Sequence, residues 1–178
     1  MSGLATQLFA TAQQIEDSGI GTAIAESRYL FLIIEGIHLI GLSVAAGLIA
    51  LTDLRLMGLI LRRVPVLDVL HQLRPYVIGG FVVIFLSGAL LFWSSAARVL
   101  NSPAFSFKML MILLGGVNAA YFEFVIAKRY EARRAPTETP RAFRAAGLVS
   151  IVLWSLVIVG GRLIPYLPSW NGAPDAIH

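Results

Sequence analysis

Four stretches of about 20 apolar residues dominate the chain, the length a helix needs to cross the hydrocarbon core of a bilayer. They run over 29–51, 76–95, 105–127 and 145–167. Few ionisable groups interrupt them, and segments this long and apolar satisfy their backbone polar groups in lipid only as helices. Composition agrees. Of the 178 residues, 57% are hydrophobic and 13% charged, against about 25% charged in a soluble domain. The expectation is an all-α fold: an integral membrane four-helix bundle forming a single domain over 1–178.

The net charge of +4 does not point to nucleic acid, because the basic residues sit between the apolar runs, where they orient a membrane protein. Arg55, Arg62, Arg63 and Arg74 follow the first run; Lys128, Arg129, Arg133, Arg134, Arg141 and Arg144 follow the third. The opposite side holds only Arg28, Arg98, Lys108 and Arg162. Ten against four in short connections is a positive-inside bias that places both termini outside the cytoplasm. The absence of cysteine excludes disulfides, thiolate ligands and cysteine nucleophiles. No basic segment precedes an apolar core at the N-terminus, so no signal peptide is expected there. Instead Leu4, Leu8, Ala12 and Ile15 recur at helical spacing. They predict a short amphipathic helix over 1–18 lying on the outer surface, ended at Ser18-Gly19.

Ionisable residues within a span are expensive and mark candidate functional groups. Counting along each span places His38 about 3 Å outward of the midplane, Glu35 about 8 Å, Arg162 about 9 Å and Lys108 about 12 Å. Glu35 and His38 share a helix face, which Gly41 and Ala45 continue. Lys108, Met111, Gly115 and Asn118 form a second stripe, and Ser155, Ile158 and Arg162 a third. A flat, bulky, anionic ligand suits such a pocket, and haem b is one. His38 is a candidate axial ligand and Met111 a second, with Lys108 as a rarer alternative and an open sixth position as another. The cations Lys108 and Arg162 are placed to meet propionates. The simpler alternative is an intramembrane histidine bonded to a serine or a carbonyl on another helix.

Nearer the cytoplasmic ends lie Asp53, Arg55, His71, Arg74 and Glu123. Pro75 cannot donate to the carbonyl of His71, which predicts a bend there. His71 could hold a second haem on that side or join Glu123 in a proton path. The favoured reading is a cluster of salt bridges, Asp53 with Arg55 or Arg74, that fixes helix ends, because charges are cheap at an interface. Neither a phosphate-binding loop nor an HExxH zinc pair occurs, and serines near His38 in sequence, such as Ser43, lie off its helix face, so spacing does not support a nucleophile activated by it.

The runs from His38 through Gly47-Leu48 to Thr52–Gly58, from Ala104 to Asn118 and over Val159–Arg162 resemble an uncharacterised bacterial family of four-helix membrane proteins. The order histidine, Gly-Leu, Arg-Leu, with the lysine-led helix from Lys108, is also distantly similar to the haem-binding membrane protoporphyrinogen oxidases and to copper-resistance D-type membrane domains. That likeness implies haem ligation by His38, with Arg55 and Lys108 as pocket residues. The oxidases usually carry further histidines, where this chain has Met57–Ile60 and Asn118. The resulting expectation is a b-type haem protein of the bacterial cytoplasmic membrane. It would pass electrons to or from a quinone or a periplasmic redox partner, and homo-oligomers are compatible with it. The alternatives are a porphyrin-acting oxidase using the same pocket and a cofactor-free permease or structural subunit.

Overall fold

The computed structural model describes residues 3–131 and 140–167, which contain helices and no strands. Two short helices, α1 (Gly3–Glu16) and α2 (Gly19–Glu26), precede the long α3 (Arg28–Leu56) and α4 (Val66–Trp93). A single-turn α5 (Ala96–Leu100) leads into α6 (Pro103–Tyr121). A π-helical segment, Phe122–Ala127, and the turn α7 (Lys128–Glu131) extend α6, and α8 (Arg141–Leu163) follows. Four helices are long and apolar enough to cross a membrane: α3, α4, α6 with its extension to Tyr130, and α8. Their outward faces are apolar, with Ile40, Leu86 and Leu113 each more than 60% exposed. Water would not tolerate such surfaces over whole helices, but lipid would. The architecture is consistent with a multi-pass membrane protein.

Local chemistry explains the boundaries. Ser27 caps α3 by accepting a hydrogen bond from the Leu30 amide, one of the amides a helix start leaves unpaired. Pro103 opens α6 at a position where its missing N–H costs nothing. The α3–α4 connection turns at Gly58 and Leu61, both with positive φ. It is tied off by the buried Arg55, whose Nε and Nη2 donate to the Val64 carbonyl at 3.1 and 2.6 Å. Helix α4 begins ten residues before the predicted apolar run, at Val66 rather than 76. It continues helical through Pro75. The π-helical turn shifts register so that Phe122 and Ala127, five apart, are both buried. They pack with Leu56, Leu70, Phe143 and Ala146 into the apolar cluster at that end of the bundle. Arg133 and Arg134 fall outside the described residues.

The predicted N-terminal helix exists, but Ser18 does not simply end it. Ser18 caps α2, and its hydroxyl also accepts from Trp93 Nε1 at 2.8 Å. Glu16 caps α5 in turn, its Oε2 accepting from the Ala97 amide at 2.9 Å. These contacts dock α1 and α2 against the bundle end formed by α4 and α5.

Small residues set the helix spacing. A Cβ on Gly80 would lie 2.9 Å from Ala45 Cβ, and one on Gly41 3.0 Å from Val83 Cγ1, so α3 and α4 meet there closely. A Cβ on Gly147 would come within 2.8 Å of the Asp53 carbonyl oxygen and 2.9 Å of Leu56 Cβ. In lipid, where burial of apolar groups adds little to helix association, this close packing holds helices together. Gly116, by contrast, has nothing within 4 Å of where a Cβ would be. Gly147→Ala is therefore expected to force α3 and α8 apart and cost about 1–3 kcal/mol, as overpacking does. Gly116→Ala should be neutral or gain up to about 1 kcal/mol from helix propensity. Unfolding midpoints of the two variants in one detergent check this; equal midpoints would refute the packing account.

Candidate functional site

His38 lies on α3, about 15 Å along the helix from its first residue. It is half-buried and faces α4. Its Nδ1 lies 2.9 Å from Ser87 Oγ, and Ser87 Oγ lies 2.6 Å from the Val83 carbonyl oxygen, one turn back on α4. The ring edge rests in the space left by Gly88, where a Cβ would meet His38 Cε1 at 3.1 Å. His38, Gly41 and Ala45 do share one face, but Gly41 and Ala45 pack against α4. The narrow strip beside the histidine is thus filled by a helix. Among the described residues, no hydrogen bond is made to His38 Nε2.

Lys108 enters from α6. It is half-buried, and its Nζ would lie 3.6 Å from a Cβ on Gly161 of α8, with its Cβ 3.4 Å from one on Gly160. Two glycines thus make a groove for the aliphatic stem. Its α6 stripe faces inward, towards α8. Met111 and Gly115 are buried, a Cβ on Gly115 would meet the Trp154 ring at 3.3 Å, and Asn118 Nδ2 donates to the Ala146 carbonyl of α8 at 3.2 Å. Trp154 also packs on Phe81 of α4, ring centres 5.1 Å apart. His38, Lys108 and Met111 therefore occupy the half of the bundle nearer Trp93, the first with α4 and the other two on the α6 face turned to α8.

The remaining predicted residues lie elsewhere. Glu35 is exposed on α3. Helix α8 buries Val157 and Gly160, while Ser155, Ile158 and Arg162 are exposed. Arg162 thus follows the lysine groove in sequence but sits outside the interior. Arg55 is at the far end of α3, about 26 Å along the helix from His38. His71 is exposed on the first turns of α4, about 24 Å along the helix from Ser87. The expected salt-bridge cluster at that end pairs differently. Arg74 bonds Glu123 in the π-helical segment. The side chain of Asp53, buried on α3, takes a hydrogen bond with Ser150 of α8. Its Oδ2 has no hydrogen-bond partner among the described residues. No group of three or more His, Asp or Glu side chains able to hold a metal ion occurs among them.

Sequence reading foresaw a serine on another helix as one partner for His38 but did not identify Ser87, and it missed the Asp53–Ser150 contact. In each, a hydroxyl within an apolar run meets a partner far away in the chain, and helical spacing carries no signal of that meeting. The pairing can be tested directly. A double-mutant cycle on Arg74→Met and Glu123→Gln should show coupling of about 0.2–1 kcal/mol, the range of a partly exposed pair. The cycle of Arg74→Met with Asp53→Asn should show none, and appreciable coupling there would overturn the assignment.

No curated protein and no solved structure matches the chain. A profile of a family of unknown function, DUF6644, matches residues 23–167, which take in all four long helices and the His38, Ser87 and Lys108 positions. The chain belongs to that family, DUF6644.

Proposed function

We propose that the chain is a membrane-embedded b-type haem protein that carries electrons to or from a quinone or a periplasmic redox partner. The observation that carries this reading is the state of His38. The imidazole is held against α4 by Ser87 and Gly88, and its second nitrogen is not engaged by any described residue. It sits in the same half of the bundle as the buried thioether of Met111 and the ammonium of Lys108.

The residues fit the group chemically. His38 would supply an axial nitrogen and Met111 a thioether, the pair found in histidine–methionine cytochromes. Lys108, and Arg162 at the exposed edge, would offset propionate charge. Bound haem would supply one-electron redox chemistry. The chain itself holds the imidazole, excludes water through apolar helices and places cations on one side. His71 is the donor a second haem at the other end would need.

The second reading is a cofactor-free membrane protein, which the His38–Ser87 hydrogen bond favours if that bond is the histidine's whole role. The two part on haem content. Purified wild-type protein should carry stoichiometric haem, His38→Ala should lose it, and His71→Ala should retain the haem bound at His38. Wild-type and His38→Ala proteins with the same haem content would refute the axial assignment.

The orientation is part of the proposal. The excess of basic residues on the Arg55–Arg74 and Lys128–Arg144 connections favours the Trp93 end, and with it the candidate site, facing away from the cytoplasm of a bacterial inner membrane. The native chain has no cysteine, so single cysteines report cleanly. Arg98→Cys should react with a membrane-impermeant maleimide in intact cells and Arg63→Cys only after lysis; the reverse pattern would invert the topology.

A further inference from the structure

We propose that Ser87 is the positioning residue of His38: its hydroxyl fixes the imidazole as the Nδ1–H tautomer and leaves Nε2 as the bare nitrogen. The deduction counts hydrogens. A serine hydroxyl has one hydrogen to donate and lone pairs with which to accept. Ser87 Oγ stands 2.6 Å from the Val83 carbonyl oxygen and 3.3 Å from that of Ile84. Both are acceptors only, so the hydroxyl hydrogen is directed into the α4 backbone. The remaining contact, Oγ to His38 Nδ1 at 2.9 Å, is then one in which the imidazole N–H donates and the hydroxyl accepts. The opposite tautomer would turn the hydroxyl hydrogen towards Nδ1 and give up its bond to Val83, leaving one hydrogen bond where there had been two. Gly88 completes the device, since a side chain there would push the ring off α4.

A neutral histidine held through Nδ1–H to an oxygen presents Nε2 for ligation or for accepting a proton, and such an outer partner fixes ring orientation and raises ligand basicity. The tautomer stands whether or not haem binds; the use of Nε2 as an iron donor rests on the haem reading above.

The test uses full-length protein in lipid nanodiscs with ring-15N histidine, without added haem. Long-range 1H–15N correlation spectra distinguish the tautomers, and His38→Gln identifies the His38 signals. The wild type should show His38 as the Nδ1–H form. Ser87→Ala should lose most of that form to the Nε2–H form. Ser87→Thr should restore it, because a helical threonine hydroxyl also bonds the carbonyl one turn back. His38 as Nε2–H in the wild type, or an unchanged spectrum in Ser87→Ala, would overturn the assignment. In haem-loaded protein, Ser87→Ala should raise the reduction potential and Ser87→Thr should not; an unchanged potential in Ser87→Ala would overturn the use of Ser87 to tune a ligand. Protein that takes up no haem while the tautomer results hold would sustain Ser87 and refute the haem reading instead.

Discussion

The distance between helix backbones governs this molecule. Four helices long and apolar enough to cross a membrane would gain little in lipid by hiding leucines from leucines, so their arrangement would depend on where backbones can come close. Gly41 and Gly80 bring α3 onto α4, and Gly147 brings α8 onto α3. Closeness at Gly41 and Gly80 places the next turn of α3 against Ser87 and Gly88, so the imidazole of His38 is received by α4. Gly160 and Gly161 admit the stem of Lys108 in the same way, and Gly115 admits the indole of Trp154. The polar groups of the candidate site thus occupy spaces made by missing side chains.

Such packing brings polar groups out of reach of water, and each then needs a partner. Inside the bundle His38 finds Ser87, Asn118 finds the Ala146 carbonyl and Arg55 finds the Val64 carbonyl, while Arg74 and Glu123 pair at the surface. The Arg55 and Arg74 contacts lie at the end where α3, α4 and the π-helical segment converge. They close a connection and join two helices, which are structural tasks. His38 lies among residues able to ligate and to neutralise charge, whereas Asn118 joins α6 to α8 beside the apolar cluster that holds Ala146. His38 is bonded at Nδ1 with no hydrogen bond at Nε2 among the described residues and so remains able to bind; Asp53, bonded to Ser150 with its Oδ2 unpartnered, shares that property at the other end.

Hydropathy made the four long helices legible, because length and apolar composition are what a bilayer demands. The α6 stripe of Lys108, Met111, Gly115 and Asn118 was legible too, since its residues recur at helical spacing and do face α8. The α8 stripe was not. Polarity suggested Arg162 as an inward group, yet the interior face is that of Val157 and Gly160. Small residues mark the packed face in lipid, whereas a long arginine near a helix end reaches the interface from the outside. Ser87 was illegible because its meaning depends on His38, 49 residues earlier in the chain. Helix α5 escaped notice because five residues carry no periodic pattern, and Glu16 caps it from outside. The start of α4 at Val66 lay beyond the apolar run, and Pro75, read from the sequence as a bend, lies within the helix.

The central claim is that the imidazole of His38 serves a haem. The most direct measurement is the absorption spectrum of purified protein, as isolated and after reduction with dithionite. The account predicts a Soret band and visible bands that sharpen on reduction. A preparation expressed with haem supplied that shows no visible absorption in either state would contradict it.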